Sequence, residues 1–561
     1  MKKQVYKSLA VLTVTTSMLA SCSLIGDLNY RLDEDPVQMH GDSVRVKISL
    51  VVPEKGLNKK ASAEIIPMLG SKAFKPITIQ GEKATGNGQT IDFKPGKTVT
   101  YTDVIAYSPD LANADLKMTG KASKGSKEII LDEMKIGDGT IITPLLVQND
   151  DRAIMATDDF VRTTQQVFSG TEINFDKAKS NVKKGEMKQD DIMNFQNWMI
   201  AANTNPKIAP KSINLSSYAS PEGETGKNNT LASDRANAAK EALTTMMTAA
   251  EVDMSSMLKI SPKGEDWEGF KAAMQASDIE DKDLIVRVLQ MYPDPIKREE
   301  EIKKMSATYK RLEKDILPPL RRAQVIVDYD KIGWSDEELK GLSLSNPDTL
   351  TIEELLFTAA LYDNLEDKER MYKEAVRQYP NDWRSHNNLG NVMYSQNNMA
   401  KAKSSFEKAN SLKESAMTLN NLGLIARQEG DREKATQLFN SAMSAGSDVK
   451  YNMGIIDIQN GDYSSAISNM GSANTFNKAL AQLLNEDYSS ALSTVDSSPD
   501  ATSAIGYYLK AIVGARQNNI DMITNNLTSA FSKDSSLKMK ASKDREFIKF
   551  FDNASFQSLV K

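Results

Sequence analysis

The sequence predicts a multidomain chain: an N-terminal β-sandwich-like domain, an α+β middle domain with a helical insertion, and a C-terminal all-α solenoid. Three observations predict it. Apolar and polar residues alternate in several short runs before residue 121. Between 166 and 330, strand-like and helix-like runs follow one another in mixed order. Beyond 351, a glycine-containing mark recurs at intervals of 33 and 31 residues. The expected boundaries are a leader at 1–21, a β-rich domain at 22–160, the α+β domain at 161–330 with its insertion at 265–318, a linker at 331–350, and the helical domain at 351–561.

In DSVRVKISLVV (42–52), Val44, Val46, Ile48 and Leu50 alternate with Ser43, Arg45, Lys47 and Ser49. That is the period of a half-buried strand. KPITIQG (75–81), TVTYTDVIAY (98–107) and ADLKMTG (114–120) read the same way. Asp138-Gly139, between apolar runs, suggests a hairpin turn. Short strands separated by turn signals argue for a small sandwich. No site stands out in it, and it reads as a spacer or docking module.

In the middle region, QVFSGTEINFD (166–176) predicts a strand and MKQDDIMNFQNWMIAANT a helix, with Ile192, Phe195, Trp198 and Met199 at helical spacing. KSINLSSYAS (211–220) predicts a second strand. A polar loop then leads into a helix over about 230–247, and LRRAQVIVDY (320–329) predicts a closing strand. The charged piece 265–318 is helical, with breakers at Pro293, Pro295 and Pro318-Pro319.

This order resembles the OmpA-like, peptidoglycan-associated domain. INFDKAKSNVKKGEM is similar to its first strand and loop, NNTLASDRANAAKEAL to its N-x-x-L-S-x-x-R-A helix, and LRRAQVIV to its closing strand. The insertion and the A-S-P-E-G loop resemble a Bacteroidota-type branch. The resemblance implies a pocket for the diaminopimelate of the peptidoglycan stem, formed by the loop and helix of 217–243. Arg235 falls on the family's arginine, which would grip the ligand carboxylate in a two-pronged hydrogen bond. Asn228 falls on the family's asparagine, and the helix N-terminus would favour an anion. Ser220 stands where the family usually has an aspartate, so Glu222 or Glu224 would have to balance the ligand's ammonium group.

In the C-terminal region, Asn388-Leu389-Gly390 recurs as Asn421-Leu422-Gly423 and Asn452-Met453-Gly454. Ala402, Ala435 and Ala466 follow twelve residues after each glycine, then Phe406, Phe439 and Met470, then Ala409, Ala442 and Ala473. This small–large–small order, at a period near 34, resembles the tetratricopeptide repeat. One such unit cannot bury its apolar face alone, so the units stack, with the large residue expected between neighbouring repeats. A degenerate repeat is expected to end at Tyr379-Pro380. GDYSSAI, EDYSSAL and NNIDMITNNLTSAF suggest further helical pairs, and DREFIKFFDNASFQSLVK a cap. The resemblance implies a concave groove faced by Asn387, Asn391, Asn420 and Arg427. Amide side chains there can hydrogen-bond an extended peptide on both donor and acceptor sides.

The N-terminus reads MKKQVYKSLAVLTVTTSMLASCS. A basic start and a short apolar core are the marks of a secretory leader. Leu19-Ala20-Ser21-Cys22 resembles a lipoprotein lipobox, which implies acylation at Cys22, the sole cysteine. Ser23 resembles a residue permitting outer-membrane sorting, and the acidic cluster of surface-export signals is missing. The expected location is the outer membrane, lipid-anchored and facing the periplasm.

The formal charge is −5, or −8 without the three leader lysines, which argues against a nucleic-acid partner. His40 and His386 are the two histidines, so a serine triad, a histidine-rich zinc site or a Cys–His pair lacks its residues. No cofactor, metal or catalytic residue is expected. The leading expectation is a non-catalytic adaptor joining peptidoglycan to a protein partner. The alternative is a scaffold or assembly factor for a surface structure or secretion machine that does not bind peptidoglycan.

Overall fold

In the computed structural model, which describes residues 24–561, the N-terminal alternation produces ten strands. These are β1 (Asn29–Leu32), β2 (Met39–His40), β3 (Ser43–Val52), β4 (Ser62–Leu69), β5 (Lys72–Ala73), β6 (Ile77–Gly81), β7 (Gln89–Ile91), β8 (Lys97–Ala106), β9 (Asp115–Lys124) and β10 (Lys127–Asp138). One sheet has the order β1-β3-β2, with β8 also paired to β3; the other runs β10-β9-β4-β6-β7, with β5 on β4. Val44, Val46, Ile48 and Leu50 share a core with Ile65, Ile79, Leu116 and Met118, so the two sheets pack face to face. Asp138-Gly139 is not a hairpin turn. The β9–β10 hairpin closes at Gly125, whose φ of +60° suits glycine, and Asp138 ends β10. The expected leader at 1–21 and Cys22 lie outside the described residues.

The chain divides into two units: residues up to Thr157 together with Asn364–Lys561, and Asp158–Asp363. The second unit contains β11 (Thr163–Asn174), α1 (Asp190–Thr204), β12 (Ile208–Ala219), α2 (Thr225–Ala249), β13 (Leu258–Glu265), α3 (Trp267–Ala276), α4 (Lys282–Met291), α5 (Pro295–Lys303), α6 (Ser306–Arg311), β14 (Arg322–Ile332), α7 (Asp336–Ser345) and α8 (Ile352–Ala360). Its sheet order is β11-β14-β12-β13, with β12 and β13 parallel across the α2 crossover. Ala232, Ala236 and Ala239 are fully buried along α2, so the helix lies close on the sheet. The sequence reading missed β13. LKISPKGE has a proline and a glycine among its eight residues and is mostly solvent-facing, so no apolar alternation marks it. Helices α3–α6 enclose a small core of their own around Phe270, Met274, Ile285 and Leu312.

The expected 331–350 linker is corrected. It forms α7, started by a capping box between Ser335 and Glu338. The helical boundary at 351 also moves, because α8 belongs to the middle unit. Of the expected degenerate repeat, only its second helix stands with the C-terminal helices.

Those helices are α9 (Leu365–Gln378), α10 (Trp383–Ser395), α11 (Met399–Leu412), α12 (Ala416–Gln428), α13 (Arg432–Ala442), α14 (Ser447–Asn460), α15 (Tyr463–Met470), α16 (Phe476–Leu484), α17 (Tyr488–Asp496), α18 (Ala504–Arg516), α19 (Ile520–Lys533), α20 (Leu537–Ala541) and α21 (Ala554–Val560). Five pairs, α10/α11 to α18/α19, share one turn chemistry. A left-handed residue (Asn397, Gly430, Gly461, Glu486 or Asn518) precedes an N-cap (Asn398, Asp431, Asp462, Asp487 or Asn519). The large residue packs against the glycine of its own repeat and also joins a core with the next one: Phe406 clusters with Ile425, and Phe439 with Val449, Met453 and Ile456. A Cβ placed on Gly390 would lie 2.6 Å from Phe406, and on Gly423 2.5 Å from Phe439. Phe547, Phe550 and Phe556 of the C-terminal segment are buried in the core of the last repeats.

Alanine ordinarily stabilises a helix over glycine by about 1 kcal/mol. Gly423→Ala is nonetheless expected to destabilise the first unit by about 1–3 kcal/mol through overpacking against Phe439. Urea unfolding measures the sign directly, and a stabilised variant would contradict this packing.

Candidate functional site

The first helices of the repeats carry a file of buried asparagines: Asn387, Asn388 and Asn391 on α10, Asn420 and Asn421 on α12, Asn452 on α14, and Asn477 on α16. An asparagine amide presents one acceptor and one donor side by side, as a peptide group does. Here the peptide groups it meets belong to this same chain. After β10 the segment 147–157 leaves the sandwich and runs across the first helices of the repeats, antiparallel to their order.

Four asparagines each take both main-chain groups of one residue. Asn477 accepts from Gln148 N–H at 2.7 Å and donates to its carbonyl at 2.9 Å. Asn452 does so for Arg152 at 2.8 and 2.9 Å, Asn421 for Ile154 at 2.8 and 2.8 Å, and Asn388 for Ala156 at 2.8 and 3.0 Å. Lateral bonds join the rungs: Asn421 donates to Asn387 Oδ1 and Asn452 to Asn420 Oδ1, each at 2.9 Å. The network is therefore extensively satisfied, the condition under which buried amides stabilise a fold.

The four groove residues expected from sequence all touch this strap. Asn387 and Asn391 donate to Ile154 O at 3.0 and 3.1 Å, and Asn420 donates to Arg152 O at 3.0 Å. Arg427 Nε donates to Asp151 Oδ1 at 2.7 Å, and its Nη2 to Asn149 Oδ1 at 3.0 Å. The Arg427 and Asp151 side chains are 2% and 0% exposed. What these residues hold is the chain's own segment, where a partner's peptide had been expected. Asn388, Asn421 and Asn452 were visible in the sequence as repeat marks but not as binding groups. The signal was a fixed phase: one asparagine per repeat, on a face where a helix usually buries apolar residues.

Charged neighbours fix the strap further. Tyr451 Oη donates to Asp150, whose carboxyl burial pushes above the usual range against the hydrogen bond from that tyrosine. Arg152 lies over the Tyr451 ring, 3.9 Å from its centroid, and pairs with Asp448 at 3.0 Å. At the strap's start Thr143 donates to Glu546, which also pairs with buried Arg516 at 2.6 Å.

The second candidate, the loop and helix of 217–243, is built differently from expectation. Arg235 is 1% exposed. Its Nε donates to Lys179 O at 3.0 Å, Nη1 to Tyr218 O at 2.9 Å and Nη2 to Asp176 O at 3.0 Å. The expectation of an arginine offered to a ligand is corrected on this point: the guanidinium clasps the 176–179 loop to the end of β12. Burial, then the charge of Arg321, lowers its pKa to about 10.

Ser220, Glu222 and Asn228 do converge, but on one another and on Arg321. Ser220 Oγ donates to Glu222 at 2.8 Å, Arg321 Nη2 pairs with Glu222 at 2.9 Å, and Lys177 with its other oxygen at 2.9 Å. Burial would raise the Glu222 pKa, but the bonds from Lys177 and Ser220 and the charge of Arg321 hold it below the usual value. Asn228 donates to Glu222 O at 3.1 Å and to Glu265 at 2.9 Å. Glu224 instead pairs with Lys227 on the exposed surface. Sequence reading missed Arg321 and Lys177, because their partner lies 45 to about 100 positions away in the chain. Among the described residues no cluster of histidine, cysteine or carboxylates could hold a metal, and no helix is long and apolar enough to cross a membrane.

The double variant Asn421→Ala, Asn452→Ala removes both rungs from Arg152 and Ile154. Their amides are expected to exchange about tenfold faster or more, while α10 keeps its protection; hydrogen exchange of peptides spanning 147–157 measures this. Arg235→Lys leaves one ammonium to serve three divergent carbonyls. A loss of about 2–3 kcal/mol is expected in thermal or urea unfolding of the middle unit.

The tetratricopeptide repeat family model matches residues 384–415, which span α10 and α11. No curated protein matches the chain. Among solved structures, pilF of Pseudomonas aeruginosa is similar at 16% identity, covering 38% of this chain and 97% of that one, with a TM-score of 0.29. A tetratricopeptide repeat protein of Parabacteroides merdae is similar at 17% identity, covering 40% and 97%, with a TM-score of 0.27. Yeast Tom70 is similar at 13% identity, covering 67% and 93%, with a TM-score of 0.27. The pair α10/α11 of the C-terminal helices is therefore a tetratricopeptide repeat by the family model.

Proposed function

We propose that this chain is a non-catalytic scaffold lipoprotein of the bacterial cell envelope that holds protein partners. The observation that carries the reading is the strap. The repeats spend the asparagines of their first helices on segment 148–156, which joins the sandwich and the repeats in one unit. A body of that kind offers fixed surfaces to partners, and the asparagines that a peptide would use are already taken by the strap. The lipobox-like Leu19-Ala20-Ser21-Cys22 supports lipid attachment at the outer membrane.

The scaffold reading is favoured over the peptidoglycan adaptor by the middle unit. Arg235 has its three donor nitrogens on main-chain carbonyls, and Glu222 has its charge balanced by Arg321 and Lys177. Arg235 is moreover 1% exposed, so a diaminopimelate carboxylate has little access to its remaining N–H groups.

Two measurements test the proposal. The full chain mixed with purified sacculi is expected to stay in the supernatant; saturable retention that Glu222→Ala abolishes would restore the adaptor reading. In the native cell the protein is expected to fractionate with the outer membrane through high-salt washing. A Cys22→Ser variant is expected to be lost from that fraction, because lipid chains supply the holding energy.

A further inference from the structure

We propose that the free edge of the strap, Asp151–Met155, is a docking edge for an extended, acidic segment of a partner protein, which adds to it as a β-strand. The inference rests on the scaffold reading and names the surface through which one partner is held.

Along an extended chain the N–H and C=O of one residue point to one side and those of the next to the other. Arg152, Ile154 and Ala156 give both groups to the asparagines. The main-chain groups of Asp151, Ala153 and Met155 therefore face away from the ladder. Among the described residues they have no hydrogen-bond partner. Folded proteins ordinarily cover or blunt such an edge. Beside the strap lies a cavity of about 720 Å³ whose lining includes Asp151, Ala153 and Met155 together with Asn391, Tyr394 and Asn397. Met155 is 41% exposed there.

Open main-chain groups beside a cavity are what strand addition uses: main-chain bonds supply affinity, and alternate side chains supply selectivity. The charge of the walls selects the occupant. The cavity's carboxylates are already matched, Asp151 by Arg427 and Asp448 by Arg152. Lys368 lines the same cavity, and among the described residues its ammonium has no partner. The uncompensated charge is positive, so the added strand should carry a carboxylate opposite Lys368.

The test uses the full chain and a fluorescein-labelled hexapeptide, Thr-Val-Glu-Val-Thr-Val, read by fluorescence anisotropy. Saturable binding is expected. Methylating the peptide's nitrogens at alternate residues is expected to weaken it about tenfold, the worth of one or two hydrogen bonds. Replacing the peptide's glutamate by lysine, or the protein's Lys368→Glu, should weaken it by about the same factor at low salt. Ala153→Pro removes one free N–H without touching an asparagine rung, and should weaken binding with an unchanged melting temperature. The inference is overturned if parent and methylated peptides bind alike, or if neither binds. Lys368→Glu leaves the strap's own sequence intact and carries the test independently of the proline variant. Partner crosslinking in the native cell separates this inference from the scaffold reading. A partner captured equally by wild type and Ala153→Pro overturns the edge alone, whereas no partner in either overturns the scaffold.

Discussion

The architecture depends on an asparagine accepting from an N–H and donating to the C=O of one residue. Four such rungs, at Asn388, Asn421, Asn452 and Asn477, tie a strap to helices some 230 to 330 positions away in sequence. Each rung replaces two hydrogen bonds to water by two bonds inside the protein. The net gain per bond is about 1 kcal/mol, but an abandoned partner would cost about 1–3 kcal/mol. The ladder is therefore stabilising when complete and costly when broken, so it forms cooperatively. It also explains how the first unit tolerates interruption. Ala156, bonded to Asn388, and Asn364, the N-cap of α9 beside α10, both stand at the first repeats. The 158–363 unit leaves and returns there, and a long excursion adds little closure entropy once its ends are held.

Much of the fold was legible because it rests on local periodicity. The alternation of Val44, Val46, Ile48 and Leu50 found β3, and the phase of glycine, alanine, a large residue (Phe406, Phe439 or Met470) and alanine found three repeats. The last two pairs lack a glycine at that phase or a phenylalanine behind it. What they share is turn chemistry, Glu486-Asp487 and Asn518-Asn519, the same left-handed residue and cap that Gly430-Asp431 supplies. Two features stayed hidden for different reasons. β13 has no buried face to create alternation. The strap's pairing partners are side chains far away in sequence, so nothing in QNDDRAIMA itself announces an extended segment.

The middle unit shows a further limit of reading sites from motifs. The pattern around Arg235 places an arginine on a helix behind a polar loop, but whether that arginine meets a ligand or a carbonyl depends on the loop's path. Here the 176–179 turn delivers two carbonyls and β12 a third, and the Phe175 ring lies 5.2 Å from the guanidinium. Ser220 was the visible sign of departure. With a hydroxyl in place of an aspartate, Glu222 supplies the negative charge, and Arg321 reaches it from the residue just before β14. The same residue types are present as in a ligand pocket, and they satisfy one another.

The strap's register needs a separate cause, because the rungs read main chain alone. A shift by two residues would bring equivalent peptide groups to every asparagine, and the ladder would not distinguish the two alignments. The side chains distinguish them. In the observed register Asp151 meets Arg427 where both are almost fully buried, Asp150 meets Tyr451 and Asn477, and Arg152 meets Asp448. A two-residue slip would put Ala153 or Asn149 against Arg427. Removing one member of a buried pair costs about 3–5 kcal/mol, because the other charge is left stranded. The acidic pair Asp150-Asp151 thus supplies the specificity that the asparagines cannot, and the asparagines supply the main-chain bonding that charge alone cannot. Neither set would hold the strap in one place without the other.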